Sequence, residues 1–139
     1  MSPLAFTVAT EAEIDAVIGI APAGDERRAA VAAHVAARQC HVAWKDGVAV
    51  GYLVLTHDFF HSPFIELVVV APLRRRSGIG RALIEYCVGL VPAGEKLWTS
   101  TNESNPAMRA LLPQCGFIES GRVDNLDPGD PELIFVRLP

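Results

Sequence analysis

The sequence predicts a mixed α/β fold in which helices pack on a central sheet. A short apolar run at 64–70, rich in β-branched residues and followed by Pro72, is typical of a buried strand. Apolar residues between Ile79 and Leu90 then recur at helical spacing. Strand and helix patterns are interspersed on both sides of this segment, and this order of elements indicates a layered α/β domain.

The other elements follow from apolar periodicity and from the turn residues between them. In chain order they are a strand at 4–9, helices at 10–20 and 26–38, strands at 41–45, 48–55 and 96–101, a helix at 104–114, and strands at 117–123 and 133–138. The chain has 139 residues and shows no internal repeat or linker, so a single domain over 1–139 is expected.

Capping and turn residues set the predicted boundaries. Thr10 and Glu13 form a capping-box pattern, and Asp25 and Ser104 are the predicted N-caps of two later helices. Asp46-Gly47 is typical of a two-residue hairpin turn. Loops are predicted at 22–24, 57–63 and 125–131.

Composition and charge exclude several classes of function. Half of the residues are hydrophobic and the net charge is −4, which argues against a nucleic-acid-binding surface. No apolar run approaches the length of a membrane span, and the N-terminus lacks the pattern of a signal peptide. A cytoplasmic protein without a membrane partner is therefore expected.

The cysteines predict neither a disulfide framework nor a zinc site. The three residues, Cys40, Cys87 and Cys115, are odd in number and widely spaced. Each is expected to be a small core residue, and no metal cofactor is predicted.

The turn between the 64–70 strand and the following helix carries the strongest functional pattern. The backbone N–H groups at a helix start lack partners and attract anions. Gly78 and Gly80 would let a ligand approach the backbone closely. Four arginines crowd the same turn in an acidic chain: Arg74, Arg75, Arg76 and Arg81. A solvated charged face is the plainer explanation, but the glycine spacing favours a site for a phosphate-bearing ligand.

Two familiar phosphate loops do not fit this turn. A dinucleotide fingerprint needs a third glycine where Leu83 stands, and the next strand ends in 98–101 without the required acidic residue. No Gly-Lys-Ser/Thr sequence follows a glycine-rich loop, which excludes the nucleoside-triphosphate P-loop.

The segment 75–80, Arg-Arg-Ser-Gly-Ile-Gly, resembles the Arg/Gln-x-x-Gly-x-Gly/Ala signature of the GCN5-related N-acetyltransferases, the GNAT family. Val70-Ala71-Pro72 before it and Arg81-Ala82-Leu83 after it are also similar to that family. Downstream, Asn105-Pro106 through Gly116-Phe117 resembles the family's Asn…Gly-Phe segment. The resemblance covers nearly the whole chain and is weakest before residue 40. It implies a twisted, mixed and mostly antiparallel sheet flanked by helices.

The resemblance also implies acetyl-CoA as the cosubstrate and a set of binding residues. The pyrophosphate would lie on the amides of 76–81, the pantetheine arm would bond the backbone of Val68 and Val70, and Asn105 would contact that arm. The full implied cofactor site is Val68, Val70, Arg75, Arg76, Ser77, Gly78, Ile79, Gly80, Arg81 and Asn105.

Glu66 is the predicted general base. It is the only charged residue between Asp58 and Arg74, and by strand periodicity it shares a face with Phe64 and Val68. A buried unpaired carboxylate is costly, so Glu66 is expected to open on a cleft or to have a partner. The resemblance implies a base at this position, often acting through water; a structural glutamate is the alternative.

The general acid that the family often carries, a tyrosine four residues before Gly116, is replaced by Leu112. Cys115 and Tyr86 are candidate substitutes, although core packing explains each more simply. Tyr52 lies on a strand that could border the cleft, and burial is again the plainer explanation.

Two polar clusters have a functional and a structural interpretation. His57, Asp58 and His61 could serve in metal binding or acid–base catalysis, but an exposed loop is favoured because no second half of a zinc site exists. The late acids Asp124, Asp127, Asp130 and Glu132 could draw a cationic amine or simply form a solvated turn.

The sequence thus predicts an acetyl-CoA-dependent N-acetyltransferase acting by direct transfer in a ternary complex. The alternatives are a CoA-binding sensor or interaction module without activity and an enzyme that uses a longer acyl-CoA. The acceptor, a small-molecule or peptide amine, and the oligomeric state are left open, with a homodimer among the options.

Overall fold

The computed structural model describes residues 3–21 and 24–139. Over this part of the chain the strands are β1 Ala5–Val8, β2 Cys40–Lys45, β3 Val48–Phe59, β4 Ser62–Val70, β5 Leu97–Asn102, β6 Ile118–Val123 and β7 Glu132–Arg137. The α-helices are α1 Ile14–Ile20, α2 Asp25–Ala36, α3 Ile79–Leu90 and α4 Pro106–Gln114, and short 3₁₀ helices precede α1 and α3 at Glu11–Glu13 and Pro72–Arg74.

The strands form a seven-stranded mixed sheet in the order β1-β2-β3-β4-β5-β7-β6. Antiparallel pairs join β1 with β2, β2 with β3, β5 with β7 and β6 with β7, whereas β4 and β5 run parallel. A mostly antiparallel sheet flanked by helices confirms the predicted fold class.

The chain divides into two compact units. The first contains the described residues of Met1–Leu55 together with Leu67–Tyr86. Its core is apolar and draws on α1, α2 and strands β2 to β4: Val17, Ile20, Val31, Val35, Cys40, Val42, Tyr52, Val54 and Val69. Burial of these side chains supplies the main stabilising term of the unit.

The second unit contains Thr56–Glu66 and Cys87–Pro139. Its buried side chains include Ile65, Leu97, Leu112, Phe117, Leu133 and Phe135. The buried Thr99 hydroxyl donates to the Ile65 carbonyl oxygen at 3.0 Å and so fastens β5 to β4 without leaving a polar atom unpaired.

The predicted loop at 57–63 is wrong. Strand β3 continues to Phe59 and β4 begins at Ser62, so only two residues connect them. Phe60 and His61 both have positive φ, 50° and 61°, which is the geometry of a tight hairpin turn. Neither residue type signals such a turn, because bulky side chains rarely adopt left-handed backbone.

Two predicted helix caps are also wrong. Asp25 is the first residue of α2, and Gly24 occupies the N-cap position. The cap of α4 is Asn105, not Ser104, because Pro106 starts the helix and sets the cap one residue later than predicted. Pro22 and Ala23, part of the predicted break after α1, lie outside the described residues.

Three other local predictions are confirmed: the capping box at 10–13, the turn at 46–47 and the buried cysteines. The Thr10 amide donates to Glu13 Oε1 at 2.9 Å, which is the glutamate half of the predicted capping box. Asp46 and Gly47, with φ of 52° and 77°, form the predicted turn between β2 and β3. All three cysteines are buried and unbridged. No helix in the described ranges is long and apolar enough to cross a membrane.

Candidate functional site

The turn between β4 and α3 belongs to the first unit and is held open by its backbone. The Ala71 amide donates to the Val50 carbonyl oxygen at 2.9 Å, which anchors the end of β4. Arg76 and Gly78 then adopt positive φ, 65° and 82°. The Ser77 hydroxyl donates to the Arg74 carbonyl oxygen and braces the turn from within. Residues 75–78 are exposed, so this backbone is accessible to a ligand.

Helix α3 begins at the end of that turn, with its first amides directed out of the helix. A backbone hydrogen bond at its start joins the Ala82 amide to the Gly78 carbonyl oxygen at 3.0 Å. The amides of Gly78, Ile79 and Gly80 precede the intrahelical pattern and therefore point out of the helix start. With the helix dipole they form a region of positive potential suited to a phosphate group.

The arginines around this helix start differ in their surroundings. Arg75 and Arg76 are exposed, whereas Arg74 is half-buried. Arg81 Nε lies 2.9 Å from Glu85 Oε1, one helical turn away, and both side chains are about half exposed. This pairing offsets part of the Arg81 charge, so Arg75 and Arg76 contribute most to an anion site at the turn.

Gly51 in β3 lets α3 approach the sheet closely. A Cβ atom at this position would lie 3.0 Å from Ile79 Cγ2, 3.0 Å from the Val69 carbonyl oxygen and 3.1 Å from Leu83 Cδ1. Any side chain here would therefore push back the first turns of α3, which carry the exposed amides. The sequence-based interpretation missed Gly51, although a glycine inside an apolar strand is a known sign of close approach.

Strand β4 shows the alternation that its sequence predicts. Ile65 and Val69 are 2% and 9% exposed on one face, and Phe64 and Val68 are half-buried on the other. Glu66 follows the second pattern and is exposed. The carboxylate therefore avoids the desolvation cost that a core position would impose. Val68 and Val70 lie in the first unit, and Glu66 lies in the second.

Glu66 adjoins the residues of β4 that pair in parallel with β5. The two strands pair at Phe64↔Trp98 and Ile65↔Thr99, and Glu66 is the next residue.

Asn105 lies in the second unit and has a structural task. Its Oδ1 accepts a hydrogen bond from the Met108 amide at 3.1 Å, which caps α4. Ser104, the predicted cap, instead bonds to Asp130, through its amide at 3.0 Å and its hydroxyl at 2.6 Å.

The tyrosines and the cysteine considered near the cleft are buried or bonded to other residues. The Tyr86 hydroxyl lies 2.9 Å from His41 Nδ1, and its ring stacks on Phe6 with centroids 4.6 Å apart. Tyr52 is 1% exposed and hydrogen bonds to Arg27; burial raises its pKa, and the Arg27 charge opposes part of that shift. Cys115 is buried, as is Leu112, which is 1% exposed.

Burial also shifts the pKa values of three other core side chains. It raises the pKa of the Cys40 thiol to about 11 and lowers the pKa of the His41 imidazole. In α3 it raises the pKa of Cys87 to about 12. A thiol that resists ionisation is a poor nucleophile, which supports a core role for both cysteines.

The late acidic residues mainly hold the β6–β7 loop. Asp127 Oδ2 accepts from Asn102 Nδ2 at 2.9 Å, and Asp130 accepts the two bonds from Ser104. Asp124 forms an ion pair with Arg122 at 2.7 Å. These contacts favour the structural interpretation of the acids over attraction of a cationic amine.

His57, Asp58 and His61 are exposed at the β3–β4 hairpin. In the described part of the chain no group of three or more histidine, cysteine or acidic residues is placed to hold a metal ion.

The same hairpin builds an aromatic cluster that the sequence-based interpretation missed. The Phe59 ring lies 5.1 Å from Phe64, 5.2 Å from Trp98 and 5.0 Å from Phe60, centroid to centroid. A cleft of about 460 Å³, here called the aromatic cleft, is lined by Phe59, Phe60, Trp98, Ile134, Ser120 and Arg122. Its residues are far apart in sequence, and no local pattern could have joined them.

A family model with the description "Acetyltransferase (GNAT) family" matches residues 9–117. A crystal structure of a GNAT family acetyltransferase from Bacillus cereus ATCC 10987 is 33% identical, with a TM-score of 0.90, and covers 98% of this chain and 97% of its own. A search of curated proteins found no match.

Two more distant structures share the fold. The ribosomal-protein-S18-alanine N-acetyltransferase from Escherichia coli is 19% identical, with a TM-score of 0.81 over 98% of this chain and 94% of its own. A Bacillus anthracis str. Ames acetyltransferase, solved in complex with acetyl coenzyme A, is 20% identical, with a TM-score of 0.61 over 72% of this chain and 62% of its own.

Proposed function

Because the chain belongs to the GNAT family of acetyltransferases, we propose that it transfers the acetyl group of acetyl-CoA to a primary amine, by direct transfer in a ternary complex. The observation that carries this proposal is the exposed turn before α3, where outward-pointing amides meet two exposed arginines. The family model spans residues of both units, which supports residues 1–139 acting as one transferase domain.

The residues of the turn fit the pyrophosphate of acetyl-CoA. The amides of 78–80 offer several N–H donors, and Arg75 and Arg76 add charge-assisted bonds. The left-handed Arg76 and Gly78 expose the backbone between them. Val68 and Val70 are the proposed backbone partners of the pantetheine arm, and Asn105 is a further proposed contact with it, in line with the family.

The acceptor must lose a proton before or during attack. A lysine-like amine with a pKa of about 10.4 is neutral only about 0.04% of the time at pH 7, a penalty of roughly 4–5 kcal/mol. Glu66, directly or through one water, takes that proton before the amine nitrogen, now with a free lone pair, attacks the thioester carbonyl carbon. The carbon–nitrogen bond forms, the carbon–sulfur bond breaks, and the electron pair leaves on the CoA sulfur.

The leaving thiolate needs no acid from this chain. Leu112 occupies the position of the family's tyrosine and is a buried apolar side chain. A CoA thiol has a pKa of about 8.5, so its thiolate is a fair leaving group and can be protonated by solvent.

Binding of acetyl-CoA to the turn can be tested by calorimetry on the Arg75→Ala, Arg76→Ala and Gly80→Val variants. Each arginine variant should raise the dissociation constant about tenfold, the effect of losing one charge-assisted bond of about 1.4 kcal/mol. Lys45→Ala, which removes a cation from the β2–β3 hairpin, is the control and should bind as the wild type does. Equal affinity of all variants would refute the assignment of the turn.

Transfer can be tested by release of free CoA thiol across a panel of amines, with Glu66→Gln as the variant. We expect kcat to fall about 10²–10³-fold at neutral pH while acetyl-CoA affinity is unchanged, because the carboxylate acts only on the acceptor. The buried cysteines should give little background with thiol reagents. An undiminished rate in Glu66→Gln would remove this residue from the mechanism.

A CoA-binding module without activity is the second candidate, and the buried Leu112 is the observation that favours it. Normal acetyl-CoA binding with no thiol release for any amine would establish the module and overturn the transferase.

A further inference from the structure

The aromatic cleft lies on the same sheet face as Glu66. Trp98 pairs with Phe64, so their side chains project from one face of the sheet. Ile134 pairs with Ser100, two residues beyond Trp98, and joins the same face. Glu66 is two residues beyond Phe64 in β4, a separation of about 7 Å along the strand.

The cleft is continuous with this face through stacked rings. The Phe59 ring lines the cleft and stacks on Phe64 with an interplanar angle of 16°. It also contacts Trp98 at 5.2 Å. An acceptor lying against these rings would have its amine within one short alkyl chain of the Glu66 carboxylate.

The β3–β4 hairpin exposes the apolar ring of Phe60 to water, and the backbone of this turn is strained. Phe60 is 86% exposed and has a φ of 50°, and His61 beside it has a φ of 61°. Left-handed backbone costs about 1–2 kcal/mol for each such residue. Strain of this kind persists mainly where a ligand site or tight packing requires it.

The charges that line the aromatic cleft favour some acceptor amines over others. Its only lining charge in the described residues is Arg122, which is paired with Asp124 at 2.7 Å. The aromatic walls then offer stacking and apolar contact, and the described lining residues include no carboxylate to pair with a second ammonium group.

Resting on the proposed transferase function, we propose that the aromatic cleft binds the side chain of the acceptor. The acceptor class is therefore a small primary amine that carries one aromatic or large apolar group, and polyamines are excluded. Phe60 acts as a specificity residue: it closes over the apolar group and has no part in proton transfer.

The experiment compares phenethylamine, ethylamine and spermidine as acceptors for the wild type and Phe60→Ala. We expect phenethylamine to be the best acceptor, and Phe60→Ala to lower its kcat/KM about tenfold to hundredfold by exposing the bound ring, with little change for ethylamine. The matched control is Val48→Ala, which truncates another exposed apolar side chain at a hairpin and should leave all three amines unchanged. Equal kcat/KM for ethylamine and phenethylamine, or spermidine as the best acceptor, would overturn the proposal.

A binding readout separates this proposal from the transferase function. The chain has two tryptophans, so Trp44→Phe leaves Trp98 as the sole tryptophan fluorophore. Phenethylamine should change the Trp98 emission in a saturable manner, and Phe60→Ala should weaken that response about tenfold. This result would support the cleft even if no acetyl transfer occurred. A dimer that Phe60→Ala dissociates, with no emission change on adding amine, would assign the cleft to contact between copies and overturn the proposal.

Discussion

The β2–β3 and β3–β4 hairpins share one backbone design but use different residues to reach it. Each connects its strands through two residues with positive φ, 52° and 77° at Asp46-Gly47 and 50° and 61° at Phe60-His61. The first pair belongs to the residue types that favour such turns. The second pair contains a bulky aromatic and a histidine, for which left-handed backbone is unfavourable.

The difference shows two ways of stabilising the same turn. Local conformational preference stabilises the β2–β3 turn, so the sequence predicts it directly. At the β3–β4 turn, the rings of Phe59, Phe64 and Trp98 offset the unfavourable backbone by packing beside it. Substitutions of these neighbouring rings should therefore disrupt the β3–β4 turn even when Phe60 and His61 are unchanged.

Phe59→Ala should have the largest effect. It removes the ring that joins Phe64 and Trp98, and the expected loss in the free energy of unfolding is about 2–3 kcal/mol, since the ring is only half-buried. Urea denaturation followed by circular dichroism measures this. Val48→Ala, at the other hairpin and 54% exposed, should cost less than about 0.5 kcal/mol. A similar cost for both variants would contradict the packing explanation.

Gly47→Ala should destabilise the β2–β3 hairpin by about 1 kcal/mol. Its φ of 77° strains any residue with a Cβ, although a stiffer unfolded chain offsets part of that strain. Space does not interfere, since a Cβ here meets no atom within 4 Å. The same denaturation assay checks the value, and a stabilised variant would show that local preference is not what maintains this turn.

His61→Gly should act in the opposite direction and stabilise the chain by about 0.5 kcal/mol. Glycine relieves the positive φ of 61° but makes the unfolded chain more flexible, so the net gain is small. The preference for phenethylamine should persist, because Phe60 is retained. If unfolding instead became easier by more than about 1 kcal/mol, the His61 side chain would itself be stabilising the hairpin.

Acidification should produce the smallest loss of stability, and this loss should originate at His41 in β2. Burial lowers the pKa of His41 in β2 below its usual value of 6.5, so the unfolded chain binds more protons on acidification. The contribution of His41 to stability is full above about pH 6.5 and is lost as the pH falls from there toward its folded pKa. Thermal melts at pH 7 and pH 5 should show a smaller drop for His41→Asn than for the wild type. His57→Asn, at the exposed end of β3, should retain the wild-type drop, and an equal drop in all three proteins would contradict this origin.

Much of the fold and part of the candidate site could be predicted locally. The β4 strand, the glycine turn and α3 are encoded by apolar spacing and by Gly78, and the structure has each of them where the sequence predicts it. The cap of α4 lies one residue after the predicted Ser104, because Pro106 takes the first helical position and Ser104 bonds to Asp130 instead.

Local sequence patterns predict the mixed α/β class, a helix start that attracts anions, and the position of Glu66 on the same face of β4 as Phe64. These features depend on neighbours within about one turn or two strand residues, which a linear pattern records. Three features required the folded chain: Gly51 supports α3, Glu66 is exposed beside the paired residues of β4 and β5, and Phe60-His61 forms a turn. These features depend on packing between residues that are distant in the chain. Such packing overrides local conformational preference when it buries enough apolar surface.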